Sequence, residues 1–183
     1  MIDERKLLCA FIYSAYDSGY CGLGLDDAAR KEDMNLFKRF IEFGGEYPEE
    51  RIRETQGKMT SEVDNSGIRD YIYRGHYEVV ESRIVEATGK DFDDAVKEPM
   101  ILHTALSCGI NFYEVVSVGE QEIKARHLFS GLERNLVVLQ GLQIPSLGDI
   151  VSGHWNYYLE ISDVEQSKSA REFFERVKAN FKS

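Results

Sequence analysis

The hydrophobic period of this chain changes once, near Cys108, and that change constrains the fold more than any other feature. Before it, apolar residues recur at helical spacing. Leu7, Leu8, Phe11, Ile12 and Ala15 mark one helix face, and Met34, Phe37, Phe40 and Ile41 mark a second. Gly19, Gly22 and Gly24 break the first pattern, and Gly44-Gly45 ends the second. Pro48 sits where a third helix would begin. Thr55 to Ser66 is polar and reads as a loop or short exposed helix. Ile68, Tyr71 and Ile72 give a helical turn up to Gly75. Tyr77 to Ala87 reads as a helix with Val79, Val80 and Ile84 inward, stopped by Gly89. Phe92, Ala95 and Val96 start one more, interrupted near Pro99.

After Cys108 the spacing is that of strands. Phe112 to Val118 is short, apolar and β-branched. Gly119-Glu120 follows, and then Ile123, Ala125 and His127 alternate with Glu122, Lys124 and Arg126, which is a hairpin pattern. Ser130-Gly131 turns the chain into Arg134–Leu139. Pro145–Asp149 turns it again into a long β-rich run, Ile150–Ile161. Strands at this spacing predict a small barrel. Ser162 and Glu165 are spaced as a capping box. The helix behind them carries Ala170, Phe173, Phe174, Val177 and Phe181 on one face and ends in Lys178 and Lys182, which suit its negative dipole end. The expectation is an α+β protein with a helical N-terminal domain over residues 1–104. A small β-barrel with a C-terminal helix occupies residues 105–183.

Charge and motifs narrow the function. Acids outnumber Lys and Arg by 32 to 22, a formal charge of −10. That argues against a duplex nucleic-acid partner, which would need cations to neutralise phosphates, and against an anionic membrane surface. No apolar run is long enough to span a bilayer. The acidic start, Met1-Ile2-Asp3-Glu4, lacks the basic region of a signal peptide, so a cytoplasmic location is expected. Three widely spaced cysteines fit reduced thiols. Phosphate-loop, dinucleotide, nucleophile-elbow, H-E-x-x-H and C-x-x-C signatures are all absent. The acidic pairs Asp26-Asp27, Glu49-Glu50 and Asp93-Asp94 sit at helix starts, where acids favour the dipole. Gly19-Tyr20-Cys21-Gly22-Leu23-Gly24 reads as an interhelix turn. His76 and His127 read as ordinary loop or strand positions, and Trp155, Tyr157 and Tyr158 as core or interface aromatics. His103 and Cys108 lie five residues apart, and His154 is the lone histidine of the long β run. A soft thiolate with an imidazole is a donor pair for iron, zinc or nickel.

Three motifs then carry a family resemblance. They are Ser107-Cys108-Gly109-Ile110 leading into Val115-Val116-Ser117-Val118, Gly148-Asp149-Ile150-Val151-Ser152-Gly153-His154, and Tyr158-Leu159-Glu160-Ile161 before an acidic capped helix. In order and spacing they resemble the HypC/HupF family of nickel–iron hydrogenase assembly chaperones, across the last 76 residues. Here the family's Pro-Gly is replaced by Asn111-Phe112-Tyr113, and its N-terminal cysteine maps onto the internal Cys108. The resemblance implies an OB-like barrel and a non-catalytic maturation factor that carries or hands over an Fe(CN)2CO group. It implies a hydrogenase large-subunit precursor or scaffold protein as partner. The family's cysteine and histidine map onto Cys108 and His154, with Cys21 a second thiol the fold could bring close. Tyr13, the Cys21 segment and Tyr73-Arg74-Gly75-His76 resemble a prokaryotic family in which a helical region precedes a HypC-like domain. Two rivals accompany this reading. One is an accessory or structural subunit of a redox complex. The other is an enzyme, small-ligand or metal-binding protein with a site between the two halves around His103, Cys108 and Cys21.

Overall fold

A computed structural model describes residues 2–18, 27–59 and 67–181, with the side chains of residues 27, 55–59 and 181 left out of account. The first helix, α1 (Glu4–Asp17), starts at Asp3, whose Oδ1 accepts from the Arg5 and Lys6 amides at 2.9 and 3.2 Å. The expected face of Leu7, Leu8, Phe11, Ile12 and Ala15 is fully buried. So are Cys9, Ala10, Ser14 and Tyr16, which lie off that stripe. The helix is covered on two sides, by α2 (Asp27–Phe43) and by the strands β4 (Ile150–His154) and β5 (Tyr157–Ile161). It is therefore a central rod rather than an amphipathic surface helix. On α2, Phe37 and Ile41 are buried and Met34 and Phe40 half-buried. The turn after it uses Gly44 and Gly45 at φ 71° and 101°.

Helices α3 (Glu49–Met59), α4 (Ile68–Asp70), α5 (His76–Thr88), α6 (Phe92–Ala95) and α7 (Pro99–Cys108) complete the helical part. Between α4 and α5, Tyr71–Gly75 is a π-helical turn. Such turns occur often at functional sites. His76 opens α5 and is only 3% exposed, so it is a core residue rather than the loop position expected. Gly89, at φ 65°, closes α5 as expected.

Five strands form a closed barrel in the order β1-β2-β3-β5-β4. β1 (Asn111–Val118) and β2 (Glu122–His127) form the expected hairpin, with a register shift between Val115 and Ser117. Burial on β2 alternates so that Ile123, Ala125 and His127 point inward. β3 (Glu133–Val137) pairs antiparallel with β2, and parallel with β5 through Val137 and Tyr157. The long β-rich run is two antiparallel strands, β4 and β5, joined at Trp155-Asn156. No glycine or proline marks that turn; Trp155 makes it with φ 53°, a conformation rare for a large side chain. Gly141 (φ 90°) brings the β3–β4 loop against α2, and a Cβ there would sit 2.1 Å from the Ile41 carbonyl oxygen.

The C-terminal helix α8 (Lys168–Phe181) follows a 3-10 turn, Glu165–Ser167. Its reciprocal cap is Asp163 with Gln166, at 3.0 and 2.8 Å, one residue beyond the expected Ser162–Glu165 pair. The extra 3-10 turn moves the first unpaired amides along by one. Ala170, Phe173 and Val177 are buried, and Phe173 stacks on Tyr77 and Phe92 at 5.1 and 5.7 Å. One continuous hydrophobic cluster runs from α1 through the barrel to α8. The fold is α+β, with N-terminal helices, a five-stranded barrel and a terminal helix. No helix among the described residues is long and apolar enough to cross a membrane.

Candidate functional site

Cys108 is the last residue of α7, whose ten residues include no Asp, Glu, Lys or Arg in a chain that is 30% charged. Pro99 begins the helix, at a position where its missing N–H costs nothing. Only Ala105 and Ser107 of α7 are buried. Met100 is 74% exposed, while Ile101, Leu102, Leu106 and Cys108 are half-buried and His103 is exposed. The helix thus presents an apolar, uncharged surface ending in a thiol.

The end of α7 is held from three directions. The Asn111 side-chain amide donates to the Leu106 and Gly109 carbonyls at 2.7 and 2.9 Å, satisfying acceptors the helix leaves open. The Ser107 carbonyl accepts from the Trp155 amide at 3.2 Å, which ties α7 to the β4–β5 turn. The Cys108 carbonyl accepts from His76 Nε2 at 2.8 Å, which ties it to α5.

His154 lies on β4, fully buried. Its Nδ1 is 2.7 Å from Ser14 Oγ, and that hydroxyl also lies 2.7 Å from the Phe11 carbonyl. His76 donates through Nε2, so its Nδ1 carries the lone pair. His76 Nδ1 and His154 Nε2 have no hydrogen-bond partner among the described residues. The two imidazoles are 5.5 Å apart, and both pack on Phe11, at 4.8 and 4.6 Å. Loss of solvation pushes His76 down to about 4, with the Cys108 carbonyl opposing the shift. His154 is held well below its ordinary value by burial first and then by repulsion from His76. Burial, with the nearby Asp3 carboxylate, pushes the Cys9 thiol up to about 12.

The expected site residues are therefore placed unequally. Cys108 is half-buried; its carbonyl meets His76, and the preceding Ser107 carbonyl meets the turn that follows His154. His154 is sealed in the core. Cys21 lies outside the described residues. The described residues include no group of three His, Cys, Asp or Glu side chains able to hold a metal ion. Of the two expected donors that are described, Cys108 is half-buried and His154 is fully buried.

A second polar cluster was not legible in the sequence. Glu160 on β5 is 2% exposed. Its Oε1 accepts from Tyr73 Oη at 2.7 Å and from Arg69 Nη1, and Tyr73 Oη also lies 2.9 Å from Ser152 Oγ. Arg69 in turn donates to the Ile2 carbonyl at 2.7 Å and lies 3.6 Å from Glu4. The only signal was an acid in the middle of an apolar strand. Compared with known proteins, the chain matches no family model, no curated protein and no solved structure.

Proposed function

We propose that this chain is a non-catalytic assembly factor of the HypC/HupF kind, working by contact with a hydrogenase large-subunit precursor or its scaffold. The observation that carries the reading is the placement of Cys108. It is the half-buried last residue of an uncharged apolar helix, whose end is braced by the His76 side chain of α5 at the Cys108 carbonyl and by the Trp155 amide of the barrel at the Ser107 carbonyl. Apolar surface at the contact and fixed geometry at the thiol are what a transient hand-over requires. The barrel order and the terminal helix agree with the architecture that the resemblance implies. The carbonyl end of α7 favours a cation beside the thiol, which suits a metal ligand. Cys108 supplies one ligand to the iron cargo, and the partner supplies the others. His154 acts from within the core, keeping the β4–β5 turn in place under α7.

The test is a pull-down of the tagged chain from cells producing active hydrogenase. Recovery of the large-subunit precursor or the scaffold is expected, with hydrogenase maturation lost in Cys108→Ser. Recovery of neither partner overturns the proposal. The burial of His154 favours a second reading, an accessory subunit of a redox complex. That reading replaces the first if Cys108→Ser leaves maturation intact while removal of the helical part prevents complex assembly.

A further inference from the structure

The segment that carries Cys108 is gripped from a distance by His127. On either side of Cys108, the Leu106 and Gly109 carbonyls accept from the Asn111 side-chain amide at 2.7 and 2.9 Å. Asn111 Oδ1 in turn lies 3.0 Å from His127 Nε2. His127 Nδ1 lies 3.1 Å from the Ser130 main-chain nitrogen and 2.9 Å from the Ser130 hydroxyl. His127 and Asn111 are both buried. The His127 ring packs among Tyr113, Phe129 and Phe174 at 5.3, 5.3 and 5.2 Å.

Main-chain groups at the two ends set the direction of every bond in this relay. The Ser130 N–H can only donate, so His127 Nδ1 accepts and the ring proton sits on Nε2. Nε2 therefore donates to Asn111, which presents its oxygen there. That orientation turns the Asn111 NH2 towards the two carbonyls, which can only accept. A flipped amide would set oxygen against both carbonyls and NH2 against the Nε2–H. Burial, and then Arg134, push His127 down to about 4, so at neutral pH the ring is in the neutral form that an accepting Nδ1 requires. With the Trp155 amide on the Ser107 carbonyl and His76 on the Cys108 carbonyl, every carbonyl from Leu106 to Gly109 has a donor. Of these four bonds, the two from Asn111 depend on which way its amide points, and His127 holds that choice.

We infer that His127 is a positioning residue for Cys108: by donating to Asn111 it locks the amide that clamps the main chain on both sides of the thiol. The purpose of the clamp, a fixed thiol at hand-over, rests on the function proposed above. The clamp itself is read by thiol chemistry with no partner present, so a failed pull-down and a failed clamp are separate results.

The experiment is alkylation of the folded full chain by iodoacetamide at pH 7.5, with peptide mass spectrometry resolving Cys108 from the other cysteines. His127→Phe keeps an aromatic ring among its neighbours and removes the donor. It should raise the Cys108 rate at least about fivefold, because loss of a buried hydrogen bond frees the segment it holds. Because a locally opened segment exposes little new surface, that rise should not depend on urea below the unfolding transition. Asn111→Asp, which loses both amide donors, should do the same. His127→Gln keeps a side-chain N–H donor for Asn111 and should hold the Cys108 rate within about twofold of the parent. An unchanged Cys108 rate in His127→Phe, a rise that grows with urea in step with unfolding, or a rise in His127→Gln as large as in His127→Phe each overturns the inference. Should His127→Phe fail to fold, an unchanged Cys108 rate in Asn111→Asp overturns it instead.

Discussion

Acidification from pH 7.5 to 5.0 should destabilise this fold through its imidazoles before its carboxylates titrate. In the unfolded chain a histidine titrates near 6.5, whereas His76 in the core is pushed down to about 4. The fold therefore favours the neutral ring. His76 costs nothing above pH 6.5, and stability is lost as the pH falls from 6.5 towards 4. Each unit in that window removes about 1.4 kcal/mol per ring, so His76 accounts for about 2 kcal/mol at pH 5.0. His127, pushed down to about 4 by burial and then by Arg134, contributes a similar amount. His154, held well below its ordinary value by burial and then by His76, loses stability in the same direction. His76 and His127 together amount to about 4 kcal/mol, close to the whole stability of a marginal domain. Urea unfolding followed by the fluorescence of the single tryptophan, Trp155, measures it directly. His76→Gln retains a donor for the Cys108 carbonyl and should reduce the pH-dependent difference by about 2 kcal/mol. A change below about 1 kcal/mol between the two pH values in the parent chain would refute the buried-imidazole argument.

Three further outcomes follow from single contacts. Gly141→Ala should destabilise the chain by more than about 3 kcal/mol, because its Cβ would meet the Ile41 carbonyl oxygen at 2.1 Å and its φ of 90° disfavours a side chain; thermal melting by circular dichroism reads the loss. At Trp155, glycine should give a higher melting temperature than alanine, since both remove the ring but only glycine adopts φ 53° without strain. Tyr73→Phe removes the donor to Glu160 and should cost about 1–3 kcal/mol in urea unfolding; a neutral result would mean the cluster is solvated.

Legibility in the sequence followed the range of the interaction. Ile123, Ala125 and His127 alternate because neighbours on a strand point to opposite faces, so their inward placement could be read from the residues alone. The β4–β5 turn could not. Its signal would be a glycine, and a tryptophan stands there, held by the Ser107 carbonyl from a different element. The cap of α8 was misplaced by one residue, because Asp163 and Ser162 are both able caps and the 3-10 turn chose between them.

The amino-acid order by itself determined the change of period near Cys108, the glycine stops, the β1–β2 hairpin and the amphipathic terminal helix. Each of these depends on residues a few positions apart. Tertiary structure decided which polar groups were buried together. Ser14 meets His154 across 140 residues, and Tyr73 meets Glu160 across 87. No local pattern encodes such meetings, because a histidine or glutamate becomes a core residue only when closure of the barrel against α1, α5 and the π-helical turn removes its water.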